Sequence, residues 1–456
     1  MDQLLTKGKN QEGGSPSKSK ATAVTKEVLS TVARPSAKGK TSRLERWLLG
    51  RLLKAVGSPP VTLVTWDGEE VESEAKPAIA RLHLGGRATL WKLVANPLYQ
   101  FGEEYAAGRI DVEGDLLQFL TVTYRLANAQ GSATDRIEWL SRWFRRPRGS
   151  SLAESRENIH HHYDIGNEFY KLWLDERLVY TCAYFADRSW SLEQAQLAKM
   201  DHVCRKLRLR PGEAVLEAGC GWGALALHMA RRYGVTVKAF NVSHEQIVYA
   251  REQARKEGLE RRVEFVEDDW RNMFGPCDAF VAVGMLEHVG LKNYGLLGDV
   301  IHRCLRPSGR GLIHSIGRNW PRSNNSWLER RIFPGSYPPS LSEAMRILEP
   351  HDFSVLDVEN IRLHYAETLR HWLARFERSV DTVRAMFDER FVRVWRLYLA
   401  GSVAAFEGGS MQLFQILFAP GSKNDIPWTR AALYTGETED TPAFAQVPQG
   451  PPRRPR

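Results

Sequence analysis

The residues best placed to do chemistry lie between Glu213 and Ser243, where the chain reads EAVLEAGCGWGALALHMARRYGVTVKAFNVS. An apolar run leads through Glu217 into Gly219-Cys220-Gly221-Trp222-Gly223. Glycine at such a strand end permits a tight turn and lets a ligand approach the backbone, with a helix N-terminus behind it. The spacing is G-x-G-x-G and no P-loop lysine follows, which separates it from a phosphate-binding loop. Further candidates stand just after later apolar runs: Asn241 and Gln246, Asp269 and Trp270, Glu287, His314 and Ile316. Ligands of parallel sheets bind beyond the carboxyl ends of the strands, so these positions form one potential site. An acid that would hold ribose hydroxyls at the end of the second strand is missing. That end reads Phe240-Asn241-Val242-Ser243, and Gln246, a turn later, is the expected substitute. The run His160-His161-His162 is not read as a metal site, because adjacent residues of one element do not converge on one ion and no Cys or acidic partner lies at ligand spacing.

Positioning these residues requires strands that alternate with helices. Apolar runs at 214–216, 235–242, 263–266, 277–283 and 309–317, separated by helical segments, predict an α/β fold with a mostly parallel, doubly wound sheet covered on both faces. A Pro/Trp/Arg-rich insertion follows at 318–360, one or two long helices at 370–408, and a final antiparallel edge strand at 411–421. Upstream, Leu44, Trp47, Leu48, Leu52 and Val56 fall at helical spacing with Arg46, Arg51 and Lys54 interleaved. This is an amphipathic basic helix that serves either a membrane surface or its own domain. Residues 60–94 read as three strands, PVTLVTWDG, AIARLHLGG and RATLWKLVAN, and helices follow around 98–107 and 116–127. The basic aromatic segment 136–148 (Trp139, Arg142, Trp143, Phe144, Arg145, Arg146, Arg148) suits a lipid interface or a clamp between domains. The expected organisation is a disordered basic tail at 1–42, a small α+β domain at 43–135, a basic linker at 136–157, a catalytic domain at 158–435 and a second disordered tail at 436–456.

Composition sets the outer limits. A chain of 456 residues with 43% hydrophobic content and 14 tryptophans can build two or three domains with a sizeable core. Five scattered cysteines (Cys182, Cys204, Cys220, Cys277, Cys304) suggest reduced thiols and a cytoplasmic protein. No stretch approaches the ~18 apolar residues of a membrane span. The net charge of +9 suits nucleic acid or an anionic membrane, and residues 1–46 supply much of it, with ten Lys/Arg against four Asp/Glu.

The glycine loop resembles the first motif of the Rossmann-like methyltransferases. HHYDIGNEFYKLWLD, YTCAYF, LEAGCGWG, GMLEHVG, HSIG and HYAETLRHW together resemble the cyclopropane-fatty-acyl-phospholipid synthase family and its mycolic acid relatives, over roughly residues 90–435. FGEEYAAGRIDVEGDLLQFL is similar to that family's N-terminal lipid-associated domain. The resemblance implies S-adenosylmethionine as cofactor, held by Tyr180, Thr181, Glu217, Gly219, Cys220, Gly221, Trp222, Gly223, Asn241, Gln246, Asp269 and Trp270, with Trp270 near the adenine. It implies addition of a methylene bridge across a cis double bond of a phospholipid acyl chain. A bound bicarbonate would act as base, held by Cys182, Glu287, His314, Ile316 and Tyr365, with Cys182 and Ile316 contributing their backbones. It also implies an enzyme peripherally associated with the inner face of the membrane, possibly a homodimer.

Leu286 stands where the family usually has Phe, and Ser315 where Thr is usual. Both adjoin the base site, so methyl- or methylene-branched products from the same cation are the nearest alternative. A nucleic-acid methyltransferase fits the charge but lacks the [DNS]-PP-[YF] sequence of amino-methylating enzymes; no nucleic-acid partner is expected. A non-enzymatic lipid-binding protein would leave the glycine loop and the Glu/His/Tyr set without a role.

Overall fold

The structure is a computed structural model and describes residues 39–129 and 165–435. The expectations for most of the basic tail, for the segment 136–148 and for the three histidines lie outside the described residues.

The N-terminal unit begins slightly earlier than the sequence suggests. Thr41 is buried, and its backbone and hydroxyl both donate to Asp67 at 2.6 Å. Ser42 then caps α1 (Arg43–Ala55) in a capping box with Glu45. Each such cap satisfies backbone N–H groups that the helix itself cannot. The helix buries Leu49 and Leu53 against its own domain and leaves Leu44 and Trp47 exposed. A four-stranded sheet follows in the order β2-β1-β3-β4, from β1 (Val61–Val64), β2 (Glu70–Glu72), β3 (Ala80–Leu84) and β4 (Ile110–Gly114).

One of the three expected strands is wrong. RATLWKLVA forms a helix, α2 (Arg87–Ala95), because Gly85-Gly86 ends β3 and Leu90, Leu93 and Val94 then recur at helical spacing. The place beside β3 belongs to β4, whose Ile110 pairs with Leu84. Helices α3 (Pro97–Ala106) and α4 (Leu116–Ala129) lie close to their expected positions.

The catalytic unit is built on a seven-stranded sheet in the order β10-β11-β9-β8-β5-β6-β7. Its elements are α5 (Leu192–Lys206), β5 (Ala214–Ala218), α6 (Ala224–Tyr233), β6 (Thr236–Asn241), α7 (His244–Lys256), β7 (Val263–Glu267), β8 (Cys277–Val283), α8 (Tyr294–Cys304), β9 (Leu305–Gly317), β10 (Phe353–Asn360), α9 (Arg362–Arg378), α10 (Glu389–Glu407) and β11 (Gln412–Pro420), with short helices between. Strands β9, β8, β5, β6 and β7 run parallel, and β11 is antiparallel to both its neighbours. The expectation that β11 is an edge strand therefore fails, since β10 takes the edge. The sequence of β11 agrees with a central place: it carries no charged residue, and most of its length is buried.

The two units are pinned together. Arg393 on α10 donates to the carbonyl oxygens of Tyr105 and Ile110 at 2.6 and 2.8 Å, and Arg331 forms a two-bond pair with Glu103 at 2.7 and 2.6 Å. Gly102 lies flat under the Trp327 indole, where a Cβ would come within 2.5 Å. One continuous apolar cluster runs from Leu49 and Leu63 in the N-terminal unit to Trp173, Trp372 and Trp395 in the catalytic unit.

Candidate active site

The turn from β5 into α6 takes the form its glycines permit. Gly219, Gly221 and Gly223 have φ of +80°, +52° and +86°, a region costly for residues with a Cβ. Their surroundings differ. A Cβ on Gly221 would meet nothing within 4 Å among the described residues, whereas one on Gly223 would come within 2.6 Å of Phe265 and 2.8 Å of Ala250. Gly223 is thus needed for helix-to-strand packing, and Gly221 leaves room beside the backbone.

That room belongs to a cavity of about 520 Å³. Tyr180, Thr181, Glu217, Gly219, Cys220, Gly221, Trp222, Asn241, Gln246, Asp269 and Trp270, all expected at the cofactor, line it. Gly223, by contrast, is turned into the packing. Asn241 and Gln246 act together, the Asn241 amide donating to Gln246 Oε1 at 2.7 Å and to the Gly221 carbonyl at 3.3 Å. Asp269 is held by Arg271, whose guanidinium donates to both its oxygens at 3.0 and 2.9 Å and stacks over Trp270. Trp222 donates its indole N–H to Asn167 at 2.7 Å, and the Tyr180 and Tyr398 hydroxyls are 2.8 Å apart.

Glu217 is buried, and its Oε2 has no partner among the described residues. Burial pushes its carboxyl up to about 8, and burial brings the neighbouring Lys199 amine down to about 8. Lys199 donates to the Thr181 hydroxyl at 3.0 Å. An unpartnered buried carboxyl group beside an open glycine turn, which a bound cation would ionise, fits a ligand that carries a positive charge and an aminocarboxylate, as S-adenosylmethionine does.

The second group of candidates lines the same cavity: Cys182, Glu287, His314, Ile316 and Tyr365. Glu287 Oε1 accepts the Ile316 backbone N–H at 2.6 Å, so that amide is engaged within the protein. Its Oε2 and His314 Nε2 are buried without partners among the described residues. Burial pushes Glu287 up to about 7 and holds His314 well below the usual imidazole range, with nearby Lys199 and Lys206 adding to the effect. Burial also pushes the Cys182 thiol far up, and its Sγ donates to the Ala183 carbonyl, so the side chain is a packed hydrophobe rather than a nucleophile. The next residue, Ala183, donates its N–H to Thr368 on α9, the helix that carries Tyr365.

Sequence reading missed Gln415. It lies opposite His314 across the β11–β9 register, fully buried, with its amide 3.1 Å from His314 Nδ1. With the amide nitrogen donating to Nδ1, the neutral ring carries its proton on Nε2, which is buried without a partner among the described residues. The available signal was a lone glutamine inside the buried run LFQILF.

The fold and the glycine turn define a Rossmann-like, S-adenosylmethionine-dependent methyltransferase. The chain belongs to the mycolic acid cyclopropane synthetase family, whose model matches residues 150–416. A separate model, for a domain of unknown function, matches residues 48–134. The chain is 36% identical over 387 residues to a probable fatty acid methyltransferase of Pseudomonas putida, spanning 82% of this chain and 96% of that protein. It is 39% identical over 266 residues to the cyclopropane-fatty-acyl-phospholipid synthase of Escherichia coli (strain K12), spanning 58% of this chain and 68% of that protein. A mycolic acid cyclopropane synthase solved with SAH and CTAB superposes with a TM-score of 0.55 at 28% identity, over 58% of this chain and 97% of that one.

Proposed function

We propose that this chain adds a methylene bridge from S-adenosylmethionine to a cis double bond in an acyl chain of an unsaturated phospholipid. The observation that carries this reading is that the cofactor turn opens into the same apolar cavity as the unpartnered buried atoms Glu287 Oε2 and His314 Nε2. An isolated alkene is a poor nucleophile, so the walls must exclude water and hold it against the methyl donor. After methyl transfer a proton has to leave the new methyl group. A protonated Glu287 and an Nε2–H of His314 are donors suited to hold a small oxyanion such as bicarbonate, with Tyr365 beside them. Bicarbonate would supply the proton acceptor there; the protein's own contribution is to orient it and keep the site dry.

The membrane is the source of this substrate, and α1 and α2 offer a surface for it. Trp47 and Trp91 are 60% and 49% exposed, near exposed Leu44 and Val94, with Arg46, Arg51, Arg87 and Lys92 on the same two helices. No helix among the described residues is long and apolar enough to cross a membrane. Arg46, Arg87 and Lys92 are ion-paired with Glu69, Glu45 and Glu104, which leaves Arg51 of these four to meet an anionic surface, worth about 1 kcal/mol and screened by salt. Branched-chain products remain the second reading, because Leu286 and Ser315 adjoin the base site and Ser315 turns its hydroxyl to the Ile316 carbonyl. Purified protein, S-adenosylmethionine and unsaturated phospholipid vesicles test both readings by lipid mass spectrometry. Gain of one CH2 with loss of the alkene supports cyclopropanation; gain with the alkene retained supports branching; no gain defeats both.

A further inference from the structure

The path of the acyl chain beyond the reacting centre rests on the proposed function, in which the double bond lies beside Glu287 and His314. A double bond in the middle of an acyl chain has a segment on either side. The head-group end must stay near water, so the methyl-terminal segment is the part that can enter closed apolar space. The cavity provides such space well past the reacting centre. It continues along α10 and α4 to the interior of the N-terminal unit, where Leu53, Leu63 and Leu82 line it and the fully buried Leu49 and Ile110 close its end. None of the N-terminal residues lining it is charged.

Gly401 marks the passage between the two units. It lies inside the 19-residue helix α10, where glycine weakens a helix relative to alanine. A Cβ there would meet nothing within 4 Å among the described residues, and Gly401 lines the cavity with Ser402 and Ala405 on the same helix and Thr123 and Ala127 on α4. Small residues thus keep open a gap between two helices that are otherwise fixed, since Arg393 and Arg331 bind the units rigidly to each other.

We propose that the N-terminal unit is the distal half of the lipid site. It receives the methyl-terminal segment of the acyl chain through the gap at Gly401, and that gap sets how long a segment the enzyme accepts. The N-terminal unit then selects substrate as well as docking it.

The test is Gly401→Leu, whose side chain would extend into the gap rather than into packed atoms, with Ala127→Leu as an independent plug from α4. Both are assayed on phospholipid vesicles whose acyl chains have the double bond at a fixed distance from the carboxyl carbon and a methyl-terminal segment lengthened stepwise. The expected result is a change in length selectivity: kcat/KM for long relative to short segments falls by about fourfold for each methylene kept out. Equal loss at every length, or unchanged selectivity in both variants, overturns the proposal. Calorimetric titration with alkyltrimethylammonium ions of increasing length reads the same gap without turnover. A wild-type protein that methylates no lipid would defeat the functional reading. Steeper binding with alkyl length in wild type than in the variants would still support the gap, and identical slopes would sink it. Thermal melts and binding of S-adenosylhomocysteine check that both variants are folded.

Discussion

The parallel and antiparallel halves of the catalytic sheet build their parts of the site differently. In β8-β5-β6-β7 the contributing groups sit at or past the carboxyl ends of the strands, and much of the binding surface is backbone: the Gly219–Gly223 turn, with Asn241 and Gln246 bonded together beside it. In β9-β11-β10 they sit within strands, as side chains in facing register: His314 opposite Gln415, and Gln415 opposite Glu359. The first half depends on shape, because a ligand must reach main chain. The second, joined by Glu287 from the end of β8 through its bond to the Ile316 N–H of β9, depends on protonation, because burial decides which atoms donate. Substitutions in the first should therefore fail by steric exclusion, and those around the base site should fail in chemistry while the fold survives.

The largest effect should come from Glu287→Gln. Loss of the acidic group should lower kcat by about 100-fold or more, with cofactor affinity within about twofold. A variant with wild-type turnover at saturating lipid would remove the carboxyl from the reaction.

Next comes the glycine pair. Gly221→Val should weaken cofactor binding by at least about 100-fold and lower stability only by the strain of its positive φ, about 1–2 kcal/mol. Gly223→Val must also displace Phe265 and Ala250, and overpacking of that kind adds about 1–3 kcal/mol. Calorimetry and thermal melts on the two variants separate these roles. If both melt alike, Gly223 is not a packing glycine.

The buried carboxyls make a pH prediction for the cofactor-free protein. Glu217 and Glu287 are raised to about 8 and about 7 from the ordinary value of 4.5. The folded chain therefore holds protons that the unfolded chain has released. That stabilisation is complete below pH ~4.5 and is lost as pH rises through about 7 to 8, with Glu287 alone accounting for about 3 kcal/mol. Glu287→Gln should flatten this slope and be more stable than wild type at about pH 8. Parallel denaturant curves for the two proteins across that range would contradict it.

A smaller effect is expected at Gln415. Gln415→Leu frees His314 to take either tautomer and should lower kcat by about tenfold. Gln415→Glu, which favours a proton on Nδ1, should be worse than Leu, and the 15N shifts of the His314 ring report the tautomer directly. Equal activity in the two variants would leave Gln415 a packing residue. The smallest effect is Gly401→Ala, which should raise stability by about 0.5–1 kcal/mol, since the methyl group meets open space in a helix interior.

The same contrast decides what could be read from sequence. The parallel half was legible because its constraints are local: three glycines at positive φ within five residues, and polar residues directly after apolar runs. Ser42-x-x-Glu45 likewise announces the start of α1. The antiparallel half was not, because its partners are remote. Gln415 lies 101 residues from His314. Nothing in either segment names the other. The position of β11 was misread although its lack of charge argued against an edge. The helix RATLWKLVA reads as a strand from its Leu and Val content, although the i, i+3, i+4 spacing of Leu90, Leu93 and Val94 and the glycines before it favour the helix.

The central place of β11 also bears on how the molecule is made. Strand β9 is complete at residue 317, yet the neighbour that covers its outer edge starts at residue 412. During synthesis that edge stays unpaired for nearly a hundred residues, a period in which exposed strand edges invite aggregation. His314 has no Gln415 beside it, and β10 has no sheet to join, until the late strand inserts between them. The parallel half can close on local contacts well before this, whereas long-range pairing of this kind is slow. A nascent chain should therefore be able to shape its glycine turn first and bring His314 and Gln415 together last.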